Sequence, residues 1–329
     1  MIVDVHTHVY PKVFIPRIAE LSSRYEYRVR FSAEGLPTIY RNGVDYGPIV
    51  EPSFGPAGRI AKLDAAGIDM QLLTIGFPGT DLLRAEDGVP LAREINDELA
   101  DVCGRHPDRF AAMATIYMQE PEEAARELER AVRELGLKGL YTYANINGVP
   151  ASDLRFRPVL AKAAELDVPI IFHPVAGARH DLLKGHHFGA LIGFMFETTL
   201  HFATLIYQGI YEEFPGLKMV APHLGGALPF LAERITWGYN YPDTEHKIPR
   251  NPREYYKLLY FDTTSFYAPA LDCTYALAGA DRMLMGSDYP FRIGDLERAV
   301  RSIREWDRPE GEKKRILGEN AVRLFKLKG

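Results

Sequence analysis

Short apolar runs recur along the chain, each followed by a longer stretch whose apolar positions fall at i, i+3 and i+4. Runs of this length suit buried strands, and the 3.6-residue period suits helices with one buried face. The runs cover residues 2–5, 70–74, 110–115, 139–143, 170–172, 218–221, 259–261 and 282–285. Helical stretches cover residues 58–66, 89–105, 121–135, 157–166, 228–238, 268–278 and 295–305. Pro121 with Glu122 and Glu123 is a helix start, because proline fits the first turn and acids favour the positive end of the dipole. Gly136 is the matching stop. Eight strands alternating with helices predict an α/β fold of parallel strands, a (β/α)8 TIM barrel.

Two segments break the rhythm and distort the expected barrel. Residues 11–57, after the first strand, carry several prolines and glycines with β-like pieces at 27–31 and 38–41, and predict a small antiparallel sheet. Residues 174–195, after the fifth strand, are rich in glycine and histidine. Both leave from the C-terminal ends of strands, where barrels of this kind carry their active sites. No shift in composition divides the chain, so residues 1–329 are read as one domain with 11–57 as an insertion.

Composition narrows the partners. A net charge of −5 over 329 residues gives no basic face for nucleic acid. Cys103 and Cys273 make no disulfide framework, which fits a reducing, cytoplasmic setting. The start at Met1-Ile2-Val3-Asp4 has no leader pattern. The most apolar stretch, 189–210, is interrupted by Glu197, His201 and Gln208, so no membrane span is expected.

The polar residues that end the strands suggest chemistry. The first strand closes with His6-Thr7-His8, and side chains two apart on a strand point the same way. Two imidazoles side by side suit a divalent metal, for which neutral nitrogen is a good ligand. His173 closes the fifth strand, His223 follows the sixth and Asp288 follows the eighth. All five fall at the expected mouth of the barrel. Phe291, just past Asp288, is a candidate wall for a substrate pocket. Glu197 reads equally as a support for the site or a helix cap, and His186-His187 as a solvent-facing pair. His106 suits a helix end, and Trp237, Tyr239, Tyr241, Tyr255 and Tyr256 suit packing or a subunit surface.

With these residues in view, the chain resembles the amidohydrolase superfamily. Within it, the likeness is to the branch of metal-dependent decarboxylases and hydratases typified by aminocarboxymuconate semialdehyde decarboxylase. The resemblance rests on residues 4–8, Glu197-Thr198-Thr199, Phe214-Pro215-Gly216, His223-Leu224-Gly225-Gly226, Gly286-Ser287-Asp288-Tyr289-Pro290-Phe291 and Gly318-Glu319-Asn320-Ala321. It implies His6, His8, His173 and Asp288 as ligands of one divalent ion, zinc first and manganese next. It implies His223 as the acid/base, with Asp288 sharing in proton delivery. The fourth strand ends in Tyr143 and Asn145 instead of a lysine that could bridge two metals, which points to a single ion.

The implied activity is non-oxidative decarboxylation of an unsaturated or aromatic carboxylic acid, with a homodimer as the implied assembly. The alternative is a hydrolase or hydratase that uses the same site to activate water. The resemblance also implies two arginines that grip a dicarboxylic substrate, and those positions fall here on Val50 and near Tyr241. Arg59 and Arg234 are the candidates to replace them. A two-pronged arginine clamp is hard to substitute, so a less charged, hydroxybenzoate-like acid is the expected substrate.

Overall fold

The computed structural model describes residues 1–25, 27–33, 35–41, 44–48, 56–175 and 188–328. Eight parallel strands form the barrel: β1 (Val3–Val9), β2 (Met70–Ile75), β3 (Phe110–Ala112), β4 (Leu140–Tyr143), β5 (Pro169–His173), β6 (Lys218–Ala221), β7 (Tyr260–Asp262) and β8 (Met283–Leu284). They pair in chain order, as one run from β1 to β3 and another from β4 to β8. Parallel bridges Ala114↔Leu140 and Thr7↔Tyr289 join the two runs and close the ring. Every residue of β1, β2 and β5 is buried, as expected of strands covered on both faces.

A helix follows each strand: α1 (Pro56–Ala66), α2 (Ala85–Arg105), α3 (Pro121–Arg133), α4 (Arg157–Glu165), α5 (Phe194–Tyr207), α6 (Leu228–Tyr239), α7 (Ala268–Ala278) and α8 (Leu296–Arg304). The helix starts follow the local chemistry. Pro121 opens α3 ahead of two acids, and the side chain of Asp295 accepts the Arg298 N–H at the start of α8.

The structure refines the expected elements in three places. Regular pairing of β3 ends at Ala112; Met113 and Ala114 still bond to Leu73 and Gly139, and beyond them Asn96 of α2 takes both backbone groups of Thr115, at 2.9 Å each. The 11–57 excursion holds the antiparallel strands Tyr27–Phe31, Pro37–Arg41 and Val44–Pro48, and also a helix, Phe14–Leu21, that was not anticipated. Helix α5 lacked an amphipathic signal because both of its faces are apolar: Phe202 and Leu205 are buried while Phe196 and Leu200 are exposed.

Through the preceding π-helical turn, Gly189–Tyr207 becomes one continuous helix, long and apolar enough by length and composition to cross a membrane. That exceeds the run length expected from sequence. Thr198, His201, Phe202, Leu205 and Ile206 on this helix are buried within the protein.

Candidate metal centre

His6 and His8 reach the barrel mouth through a bulge in β1. Asp4 pairs with Gln71 and Thr7 with Leu73, so three steps on β1 face two on β2. The extra residue re-aims the strand, as bulges do beside functional sites, and the two imidazole rings lie 5.2 Å apart. His173 is the last residue of β5. His223 and Asp288 lie just past β6 and β8 with φ of 54° and 60°. Non-glycine residues seldom adopt this left-handed region, which costs roughly 1–3 kcal/mol and is retained mainly at functional sites. Gly286 lets the two walls meet, since a Cβ there would stand 2.7 Å from His6 Cβ and 2.8 Å from Thr264 Oγ1.

The arrangement converges on Asp288. One of its oxygens, Oδ1, is 3.1 Å from His8 Nε2 and 3.6 Å from His6 Nε2. The other, Oδ2, is 3.9 Å from His223 Nε2. One ligand atom from each of His6, His8, His173 and Asp288 falls in a cluster within 4.8 Å of one another, and all four residues are buried.

Partners outside this cluster orient two of the rings. His6 Nδ1 meets Asp262 Oδ2 at 2.6 Å, and His173 Nδ1 donates to the Pro174 carbonyl at 2.7 Å. Both contacts leave the Nε2 atoms facing inward, without a hydrogen-bond partner among the described residues. Buried nitrogens left open in this way are costly unless something accepts their lone pairs. Three imidazole nitrogens and one carboxylate oxygen, with partners fixing the rings from behind, are a donor set that fits a divalent transition metal.

The electrostatics agree with that fit. Burial pushes His8 down and His173 well below the ordinary histidine value, and for His173 the neighbouring imidazoles add to it. Burial, with His6 adding, lowers His223 to about 4, so it is neutral near pH 7. For His6, burial opposes the charged form, but Asp262 and Asp288 outweigh it and raise the pKa to about 9. Burial alone would raise Asp262 and Asp288, yet the histidines beside them hold both below the usual carboxylate value. The result near pH 7 is two carboxylates, three neutral imidazoles and a protonated His6, whose proton a bound cation would displace.

Around this centre stand aromatic walls. Phe291 lies 4.8 Å from the His8 ring. Phe194 of α5 faces His173 at 5.6 Å and His223 at 6.2 Å, and Tyr141 of β4 lies 5.8 Å from His173. Glu197 Oε2 accepts the Val175 N–H at 2.6 Å, so it supports the chain just after His173 and is not a helix cap.

Sequence reasoning passed over Asp262, Phe194 and Tyr141. Asp262 had the same signal as the others, a polar residue ending an apolar strand. It also accepts the His223 N–H at 2.8 Å, so it braces two of the histidines. Other expectations sort differently. Val50, His186 and His187 lie outside the described residues. Arg59 is 1% exposed and donates to Gln71 and to the His8 carbonyl, so it is committed to the protein interior. Arg234 stands exposed on α6. His106 caps the end of α2. Of the aromatic group, Tyr255 and Tyr256 are core, while Trp237 and Tyr241 are exposed.

The chain is similar to known proteins along most of its length. A family model described as Amidohydrolase matches residues 3–327. The chain is 30% identical to 2-amino-3-carboxymuconate-6-semialdehyde decarboxylase of Dictyostelium discoideum, covering 99% of this chain and 91% of that protein. It is 31% identical to gamma-resorcylate decarboxylase of Rhodococcus jostii, covering 82% and 87%. Among solved structures, 5-carboxyvanillate decarboxylase of Novosphingobium aromaticivorans, complexed with manganese and 4-hydroxy-3-methoxy-5-nitrobenzoic acid, superposes with a TM-score of 0.85. That likeness is at 26% identity, over 99% of this chain and 96% of that one.

Proposed function

The chain belongs to the amidohydrolase family, and we propose that it is a metal-dependent, non-oxidative decarboxylase of an unsaturated or aromatic carboxylic acid. The observation that carries this reading is the buried convergence of His6, His8, His173 and Asp288 with unpartnered imidazole nitrogens facing inward. These four are the ligands of one divalent ion. Manganese, held by the Novosphingobium neighbour, is the first ion to test, ahead of the zinc expected from the donor set.

An ion held by His6, His8, His173 and Asp288 would supply Lewis acidity toward the substrate carboxylate. The chain's own residues move the proton. His223, neutral because it is buried, takes up a proton from the substrate hydroxyl or from water. Asp288 Oδ2, 3.9 Å from His223 Nε2, relays it to the carbon bearing the carboxylate. The bond to the carboxylate breaks, its electron pair stays on that carbon and is captured by the proton, and CO2 leaves. Phe291 and Phe194 flank the reacting group and exclude water. The Arg59 side chain is held in the interior, which supports a substrate less charged than a dicarboxylic muconate.

The neutral state of His223 equally suits a base that activates water, and this favours hydration or hydrolysis as the rival. A panel of hydroxybenzoates, muconate semialdehydes and lactones, assayed with manganese for both CO2 and acid release, separates the two. CO2 release from a hydroxybenzoate-like acid is expected; acid release without CO2 would replace decarboxylation with the rival.

The same reading includes assembly and setting. Residues 1–329 act as one domain with 11–57 as its excursion, in a cytoplasmic homodimer. The free thiols Cys103 and Cys273 support a reducing compartment. The exposed apolar side chains of α5 and α6, Phe196, Leu200, Phe230 and Trp237, support pairing with a second copy.

A further inference from the structure

A buried polar circuit behind β1 connects the helix layer to three of the proposed ligands. Asp4 accepts the His6 N–H at 3.3 Å, the Ser287 N–H at 3.0 Å and the Ser287 hydroxyl at 2.5 Å. It also accepts Gln71 Nε2 at 2.8 Å. The other end of that amide, Gln71 Oε1, accepts an Arg59 N–H at 3.0 Å. A second Arg59 N–H donates to the His8 carbonyl at 2.6 Å, and the guanidinium lies 5.0 Å over the Tyr289 ring. Asp4, Gln71 and Ser287 have no exposed surface, and Arg59 has 1%.

The contacts fall on both sides of the β1 bulge, which lies between Asp4 and Thr7. Asp4 grips the backbone at His6, Arg59 grips it at His8, and both also touch the residues flanking Asp288. A bulge is the part of a strand least fixed by ladder hydrogen bonds. Side chains that take its backbone groups therefore decide where its two imidazoles stand. Gln71 bridges the buried cation and the buried anion directly, because its amide turns an acceptor to Arg59 and a donor to Asp4. An apolar residue would leave Arg59 and Asp4 each short of a partner, and a carboxylate would place two anions side by side.

From this geometry we propose that Arg59 and Gln71 are positioning residues for the metal centre. They act through Asp4 and the β1 bulge to set His6, His8 and Asp288, and touch neither ion nor substrate. The inference rests on the ligand assignment above. Supports of this kind are worth roughly 10–100-fold in metal affinity.

The test uses the full chain with Arg59→Lys, Arg59→Met, Gln71→Met and the Arg59→Met/Gln71→Met double variant. Mn2+ affinity is measured by chelator competition, the d–d spectrum is recorded with Co2+, and the melting temperature is taken without metal. Arg59→Lys keeps the charge and loses the fork, so it reports even where Arg59→Met does not fold. The expected result is Mn2+ binding weakened about 10-fold or more in each variant, a shifted Co2+ spectrum, and a double variant little worse than either single. A lower melting temperature with Mn2+ affinity within about twofold and an unchanged Co2+ spectrum would make the circuit merely structural and overturn the proposal. An unaltered protein that takes up neither ion would overturn the ligand assignment and this inference together.

Discussion

The mouth of the barrel and the outer face of α5 and α6 depart from ordinary burial in opposite directions. At the mouth, His6, His8, His173, His223, Asp262 and Asp288 are all buried, although polar residues of these types mostly stay at the surface. On the outer face, Leu200 is 69% exposed and Phe230 80%. Scattered exposed apolar residues are normal, but a group of them on neighbouring helices is the kind of surface that marks interaction sites. The buried polar group offers lone pairs of the kind a cation takes up, and the exposed apolar group offers area of the kind a partner surface covers. The two regions therefore call for different partners, and each can be disturbed without touching the other.

The largest expected effect is at the mouth. His223→Ala removes the proton-handling group and spares all four proposed ligands, so turnover should fall by about 10²–10⁴-fold while manganese content is kept. Asp288→Asn should lose both, because the proposed site uses Asp288 as a ligand and as the partner of His223, whose Nε2 lies 3.9 Å from Oδ2. Metal analysis and steady-state rates on the two variants check this. Near-normal turnover in His223→Ala would remove the assigned role. Neither substitution should change the mass of the protein in solution, since the outer face is untouched.

Legibility in the sequence followed the same division. The barrel and its mouth could be read because β-strands announce themselves as apolar runs and their closing residues stand out against them, as His173 does after Phe172. Asp262 carried that signal and was passed over because a single acid after Phe261 looks like an ordinary strand end. Its role depends on a 2.6 Å contact with His6, 256 residues away. Arg59 shows the same limit. A lone arginine on a helix reads as surface or as a substrate contact, and only the packing of α1 on β1 and β2 turns it inward. Helix α5 lacked periodicity because its outer face is apolar as well, which is the property behind the assembly proposed for it.

A smaller effect is expected on the outer face. Leu200→Glu with Phe230→Glu places two charges where a second copy would pack, and an unpaired buried charge is costly in an interface. Sedimentation should show the mass falling from two chains to one, while manganese content stays at its unaltered level. A mass of one chain before the change would remove the assembly proposed for this face. A loss of metal together with the mass would show that the two regions depend on each other and end the contrast drawn between them.

The smallest effect concerns a buried acid whose shift no charged neighbour among the described residues offsets. Asp81 follows β2, is 4% exposed, and accepts the Met118 N–H at 2.7 Å. Burial raises its pKa to about 7, where Asp262 and Asp288, with histidines for neighbours, are lowered. The sign follows from which state holds the proton more tightly. The folded protein keeps it up to about pH 7, whereas the unfolded chain releases it near the ordinary value of about 3.9. Stability from this group is therefore greatest below about pH 4, falls as pH rises toward 7, and levels above it. Asp81→Asn keeps an acceptor for Met118 and removes the titration. The melting temperature of the variant, relative to the unaltered protein, should rise between pH 5 and pH 7.5. Curves that run parallel across that range would mean that Asp81 is ionised in the folded protein and that burial at the mouth tolerates a bare carboxylate without a cation.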